Sequence, residues 1–345
     1  MSRKDYFQWL TGSTKTCWWH DSADPPELAR GLERGAVGVT TNPCLSHLAL
    51  KRNKCAWNKA IEALLSEEHT PESKAEALMR IPVAHAAEKL LPAYERSEGK
   101  MGYVCAQVNP ARAGDREAML AMARRFHQWA PNVAVKLPAT AAGLDVLEDC
   151  VAEGITTTAT VSFTVPQVVA IAERHRRGIE QARMNGLEPG RCFAVIMIGR
   201  LDDYLRDVAH DSRAGVSESD IRQAGLAVTK RAYAIYNERG YEALLLVAAL
   251  RGAYHMTELA GAQLIMSIAP ACQELLLAED LPREERIDFE VPRDVIDRLS
   301  TVPEFVRSYK PDGMKPTDFI AFGATQRTLT QFSEAGWNLL EIFQA

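Results

Sequence analysis

The chain lacks several features that would narrow its function quickly. It has no excess of positive charge: 40 lysines and arginines stand against 45 aspartates and glutamates, a formal net charge of −5. That balance argues against a nucleic acid backbone or an anionic membrane surface as the main partner. It leaves room for a local basic pocket that takes a small phosphate. No apolar run approaches the roughly 20 residues that span a bilayer. The stretch Met1-Ser2-Arg3-Lys4-Asp5-Tyr6 has none of the apolar core of a secretory signal. There is no low-complexity tract and no Gly-, Ser- or Pro-rich linker, so residues 1–345 are expected to form one domain. Seven cysteines, an odd number, fall at 17, 44, 55, 105, 150, 192 and 272 without a Cys-x-x-Cys pair. They read as reduced thiols of a cytoplasmic protein, not as a disulfide framework. A Cys/His metal site finds no support, and no metal is expected.

What is present is a large soluble core, with 47% hydrophobic and 25% charged residues. Short apolar, β-branched runs recur, each followed by a longer amphipathic stretch, which is the pattern of βα units around a parallel sheet. The runs are 16–19, 36–40, 102–108, 133–137, 154–160, 192–198, 243–247 and 263–268. Helices are expected at 27–33, 115–129, 140–153, 166–185 and 218–239. The sixth run is expected to end at Gly199-Arg200-Leu201-Asp202-Asp203-Tyr204. A long helical insertion, about 45–100 with a break at Pro71, follows the second run. A partly helical extension, about 281–345, closes the chain with an amphipathic helix near 335–343. About eight β units in one chain point to an α/β fold, a (β/α)8 TIM barrel.

The stretch Asn132-Val133-Ala134-Val135-Lys136-Leu137-Pro138-Ala139-Thr140 carries a lysine out of an apolar strand. Alternation puts Ala134 and Lys136 on one face and Val133, Val135 and Leu137 on the other. In a barrel the valine/leucine face is outer, and Lys136 points inward near the strand's C-terminal end, where such barrels carry their chemistry. The alternative is a strand-end lysine reaching solvent. Other polar residues also fall at strand ends: Asp21, Thr40, Asn42, Gln107, Thr160, Arg200 and Arg251. In a barrel these ends converge on one mouth. A free amine with pKa near 10.4 is neutral in only about one molecule in a few thousand at pH 7, and desolvation favours the neutral form. A lysine so activated can attack a ketone and form a Schiff base, an electron sink for C–C cleavage. Such cleavage needs a carboxylate to move a proton, and Asp21 is the candidate. Asp21 is equally readable as a helix N-cap. Arg200 and Arg251 could grip a phosphate or form surface ion pairs with Asp202 or Asp203.

These residues resemble a known family. Asp21, Thr40-Thr41-Asn42-Pro43, Val135-Lys136-Leu137-Pro138-Ala139-Thr140 with Gly143-Leu144, and Gly154-Ile155 followed by Thr160 resemble the motifs of transaldolases. So do Gly199-Arg200-Leu201-Asp202, and Arg251 with Leu259-Ala260-Gly261 and Ile268-Ala269-Pro270. The matches keep their order over roughly residues 16 to 270. The insertion after the second strand is similar to that of the longer transaldolases, not to the short fructose-6-phosphate aldolase type. The resemblance implies a class I aldolase-type barrel in the cytoplasm, in carbohydrate metabolism of the pentose phosphate type. It implies a transferase that moves a dihydroxyacetone unit from a ketose phosphate, such as sedoheptulose 7-phosphate or fructose 6-phosphate, to an aldose phosphate. It implies Lys136 as the Schiff-base lysine and Asp21 as acid/base. Thr40 and Asn42 would hold substrate hydroxyls or the carbinolamine, Thr160 would help position the water, and Arg200 and Arg251 would bind phosphate. It implies no cofactor and a monomer or homodimer.

The chain also departs from the family pattern. Where transaldolases carry Ser-Thr-Glu on the third strand, this chain has Cys105-Ala106-Gln107. Glutamine can orient a water but cannot take up its proton. The aldolase branch pairs such a glutamine with a tyrosine on the sixth strand, and here that position is Met197. A serine that assists phosphate binding is replaced by Val195, and an asparagine of the fifth strand by Thr158. Two alternatives to transfer therefore stand: an aldolase that releases free dihydroxyacetone, and a sugar-phosphate-binding barrel without catalysis.

Overall fold

Eight short parallel strands are hydrogen-bonded in sequence order, and the last pairs with the first to close a barrel. They are β1 (Cys17–His20), β2 (Gly38–Val39), β3 (Tyr103–Gln107), β4 (Val133–Pro138), β5 (Thr157–Thr160), β6 (Cys192–Met197), β7 (Leu244–Ala248) and β8 (Ile265–Ile268). The fold is a (β/α)8 barrel, described by a computed structural model over residues 5–278 and 280–344. Residues 1–4 of the N-terminal stretch, and Glu279 and Ala345, lie outside the described residues. No helix among the described residues is long and apolar enough to cross a membrane. No group of three or more His, Cys, Asp or Glu among them is placed to hold a metal.

Strands form where the sequence strings apolar and β-branched residues together, and every residue of β3, β4, β5 and β6 is buried, as expected for strands covered on both faces. Several helices begin where a short polar side chain satisfies a free N–H. Asp24 accepts from Glu27 N at the start of Pro25–Glu33. Thr140 accepts from Gly143 N at the start of Ala141–Ala152. Inside the barrel, rings fill the end opposite the strand C-termini. Trp19 meets Phe193 at 4.6 Å between centroids, and Tyr103 meets Phe193 at 5.3 Å. These rings belong to β1, β3 and β6, which are not sheet neighbours, so the contacts cross the interior. That end is packed with aromatic side chains, and space remains at the other.

Three expectations change in detail. The insertion after β2 is three helices, Pro43–Arg52, Lys54–Leu65 and Pro71–Arg96. The break expected at Pro71 is there: the second helix ends at Leu65, and Pro71 opens the third, where a missing N–H is harmless. The sixth strand ends at Met197, and Ile198 with the stretch 199–204 expected to end it opens a helix, Ile198–Asp211, so Arg200 projects from its first turn. Met197 gives that helix no side-chain cap and Gly199 weakens its propensity, so the local signal is poor. Burial of Leu201, Leu205 and Ala209 at helical spacing supplies what the cap does not. Finally, the closing segment is a helix, Gly323–Phe332, a π-turn, Ser333–Trp337, and a last helical turn, Asn338–Glu341.

Candidate active site

A cavity of about 250 Å³ opens at the C-terminal ends of the strands. Asp21, Thr40, Asn42, Lys136, Thr160, Arg200 and Arg251 all line it. Seven of the eight polar strand-end residues therefore meet in one place. Gln107 does not line it. It lies on β3 in register with Lys136, 2% exposed, and its Oε1 has no hydrogen-bond partner. A buried orphan acceptor costs ~1–3 kcal/mol unless something in the working site satisfies it.

Lys136 is 6% exposed, and its Nζ donates to Thr41 O at 3.1 Å. It is held inside the mouth and does not reach solvent. Asp21 is not a helix cap, because Asp24 fills that role. Thr40 Oγ1 instead donates to Asp21 Oδ1 at 2.6 Å. Thr40 Oγ1 also lies 2.5 Å from Ser267 Oγ, and since its one proton is given to Asp21, Ser267 is the donor there. Two hydroxyls in series thus point at one carboxylate. Asn42 Oδ1 caps the helix Pro43–Arg52 by accepting from Leu45 N at 3.0 Å, which leaves its NH2 group to donate. Thr160 Oγ1 stands 4.0 Å from Met197 Sδ.

The two arginines differ. Arg251 is bound by Asp203, with Nε at 3.0 Å and Nη2 at 2.8 Å from Oδ2. Its Nη1 donates to Ala249 O at 2.9 Å. The ion pair foreseen as the ordinary alternative is real for this residue. Burial alone would raise the Asp203 carboxyl, but hydrogen bonds from Arg251 and Arg206 outweigh it and hold the carboxyl below its usual range. Arg200 has no carboxylate partner among the described residues. Its Nη1 donates to the neutral Gln331 Oε1 at 2.5 Å, and its guanidinium sits 5.2 Å from the Phe332 ring. Burial, and then repulsion from Arg251, push its pKa down. Both effects mean that an anion beside Arg200 would be welcomed.

Local backbone geometry brings the arginines together. Gly199 has no room for a side chain: a Cβ would lie 2.2 Å from Ala249 O and 2.5 Å from Arg251 Cγ. Ala249 itself has φ of +59°, and Val161, next after β5, has +54°. Left-handed non-glycine residues cost on the order of 1–3 kcal/mol and cluster at functional rims. Below the arginines lies a pair that sequence reading missed. His255 Nε2 donates to Asp202 Oδ2 at 2.9 Å, and both side chains are fully buried. His255 Nδ1 accepts the Arg251 N–H at 3.2 Å, and Asp202 Oδ1 accepts the Gly225 N–H at 2.8 Å. The pair joins the helix that carries Arg200 to the loop that carries Arg251.

Other lining residues were also missed. Ser267 occupies an inward position of β8 next to the Ile268-Ala269-Pro270 motif. Gln331 and Phe332 come from beyond the barrel. Cys44 lines the rim, and burial raises its thiol pKa, so it is not a reactive thiolate. A second hollow of about 330 Å³ lies at the N-terminal ends of β6 and β7, lined by His175, Arg183 and Glu242 among others. Arg183 and Glu242 stand 3.8 Å apart there, and no strand end aims chemistry into it.

A closed parallel barrel whose strand ends gather an amine, a carboxylate and two guanidiniums around one cavity has the class I aldolase architecture. The chain belongs to the transaldolase/fructose-6-phosphate aldolase family, whose profile matches residues 18–332. It is 32% identical to a transaldolase of Thiobacillus denitrificans over 229 residues, 64% of this chain and 62% of the relative. It is 29% identical to a transaldolase of Neisseria gonorrhoeae over 211 residues, 60% of this chain and 58% of the relative. It is 30% identical to a transaldolase of Mycolicibacterium paratuberculosis over 207 residues, 59% of this chain and 55% of the relative. The matches thus span about three fifths of the length of these curated relatives.

Proposed function

We propose that this protein is a transaldolase that acts in the cytoplasm and moves a dihydroxyacetone unit from a ketose phosphate to an aldose phosphate. The observation that carries the reading is the composition of one cavity. Three basic side chains, Lys136, Arg200 and Arg251, and one carboxylate, Asp21, face it, and among the described residues no carboxylate is hydrogen-bonded to Arg200. Such a site is electropositive and favours an anionic sugar over a neutral one. Family membership and the transaldolase relatives support the same reading.

In this account the Lys136 amine attacks the ketose carbonyl at C2, and the carbinolamine loses water to give a protonated imine. The Asp21 carboxylate takes the proton of the C4 hydroxyl. The C3–C4 bond breaks, its electron pair moves into the imine as an enamine, and an aldose phosphate leaves. A second aldose phosphate enters. The enamine carbon bonds to its aldehyde carbon, Asp21 returns the proton to the new hydroxyl, and water releases the ketose. Thr40 and Ser267 hold Asp21 in place while it does this. Asn42 donates to substrate hydroxyls, and Arg200 and Arg251 take the phosphate. Thr160, on the cavity wall, serves the water that makes and breaks the imine.

The test is to supply fructose 6-phosphate with and without erythrose 4-phosphate. Seven-carbon product formed only with the acceptor supports transfer. Free dihydroxyacetone released at the same rate without it would replace the proposal by simple aldol cleavage. Turnover that is absent under both conditions would remove the enzyme reading.

A further inference from the structure

The phosphate side of the cavity is short of donors on its strands. Val195, Met197, Leu246 and Ala248 line that wall, and none has a side-chain N–H or O–H. Arg251 spends Nε, one Nη2 hydrogen and Nη1 on Asp203 and Ala249 O. Arg200 spends one hydrogen on Gln331. Arginine can only donate, so the Gln331 atom facing it is the carbonyl oxygen, and the amide NH2 points elsewhere. That NH2 bonds to no described residue. Gln331 lines both the inner cavity and the adjoining groove of about 330 Å³, which Arg200 and Arg251 also line. It stands where the two spaces meet.

The placement is built. Cys44 Sγ donates to Gln331 O at 3.7 Å, which ties the residue's backbone to the first turn of the helix Pro43–Arg52. The π-turn that follows packs against the helix Pro43–Arg52, and Gly336 makes this possible. A Cβ there would come within 2.6 Å of Cys44 N. The C-terminal segment is therefore pressed onto the mouth with the Gln331 amide beside Arg200.

We infer that Gln331 is a substrate-binding residue. Its oxygen fixes the amide on Arg200, and its NH2 donates to the phosphate of the sugar, giving from outside the barrel a neutral hydrogen bond that the strand wall does not supply. The inference rests on the reading of Arg200 as the phosphate site. Gln331 is exposed, so its replacement does not threaten folding.

The experiment compares Gln331→Met, Gln331→Glu and Arg200→Ala in the full chain. It measures KM and kcat for fructose 6-phosphate with erythrose 4-phosphate, and inhibition by inorganic phosphate. Gln331→Met keeps the bulk and removes the donor. KM and the phosphate inhibition constant are expected to rise five- to tenfold together, with kcat changed far less. Gln331→Glu places a carboxylate on Arg200, and a rise of 100-fold or more is expected. Wild-type values for both Gln331 variants, with Arg200→Ala impaired, would overturn the role of Gln331 alone. Wild-type values for Arg200→Ala as well would overturn the phosphate reading beneath it.

Discussion

The two sides of the cavity are built on opposite principles. On the side formed by β1, β2, β4 and β8, the acid and base groups are already engaged. Ser267 donates to Thr40, Thr40 to Asp21, and Lys136 to Thr41 O, within a buried and hydrogen-bonded frame. On the side of β6, β7 and the C-terminal segment, the wall is apolar, and Arg200 is a half-buried cation whose side-chain hydrogen bond goes to a neutral amide. The first side is preorganised and requires no reorganisation to react. The second is left unsatisfied and is completed by a ligand's charge. The difference teaches how one site can divide chemistry from recognition. Changes on the lysine side should strike kcat, and changes on the arginine side should strike KM.

That division can be broken experimentally. Lys136→Met should abolish turnover while leaving phosphate binding measurable by ligand-induced thermal stabilisation, because the arginine side is untouched. Asp21→Asn should lower kcat by about 10²–10⁴-fold with little change in KM, since a proton-transfer group is lost and no substrate anchor is. Arg200→Ala should raise KM for fructose 6-phosphate about 100-fold, or ~3 kcal/mol at 1.4 kcal/mol per decade, and leave the reaction of unphosphorylated fructose unchanged. An equal loss with both sugars would merge the two sides. Asp202→Asn sharpens the comparison more finely. It keeps the shape but makes His255 donate from Nδ1, so the Arg251 N–H loses its acceptor. About a tenfold rise in KM with kcat intact is expected, the scale of one hydrogen bond.

The last expected effect is on stability and leaves the cavity untouched. His20 ends β1 beside Asp21, and burial, then repulsion from Arg30 and Arg34, lower its pKa to about 4. The unfolded chain, with an ordinary histidine near 6.5, therefore binds more protons between these values. Stability should be full above pH 6.5 and fall as pH drops toward 4, by at most about 3 kcal/mol. Thermal melts of wild type and His20→Gln across that range check it, and the variant should lose the His20 part of the slope.

Much of this was legible in the chain because period-2 apolar runs report buried strands directly. Asp21, Lys136, Thr160 and Arg251 lie at or just past their ends. Lys136 was readable as inward-facing from Ala134 and the valines alone. Arg200 was readable as a site residue, but not as a helical one, because Met197 and Gly199 give no helix-start signal and the helix is held by tertiary burial. His255, Ser267 and Gln331 were invisible for another reason. Their meaning comes from contacts across 53 residues to Asp202, 227 to Thr40 and 131 to Arg200. No local pattern records such pairings. Gln107 was read as a member of the mouth, yet it is buried one strand over from Lys136 and off the cavity wall.

The central claim is that Lys136 forms an imine with a ketose phosphate. The most direct measurement is borohydride reduction of the protein mixed with fructose 6-phosphate, followed by peptide mass analysis. The account predicts a reduced adduct on the peptide that carries Lys136, reduced by competing inorganic phosphate and absent in Lys136→Met. An unmodified Lys136 in protein that turns the same donor over, or an adduct at another lysine that survives Lys136→Met, would contradict it.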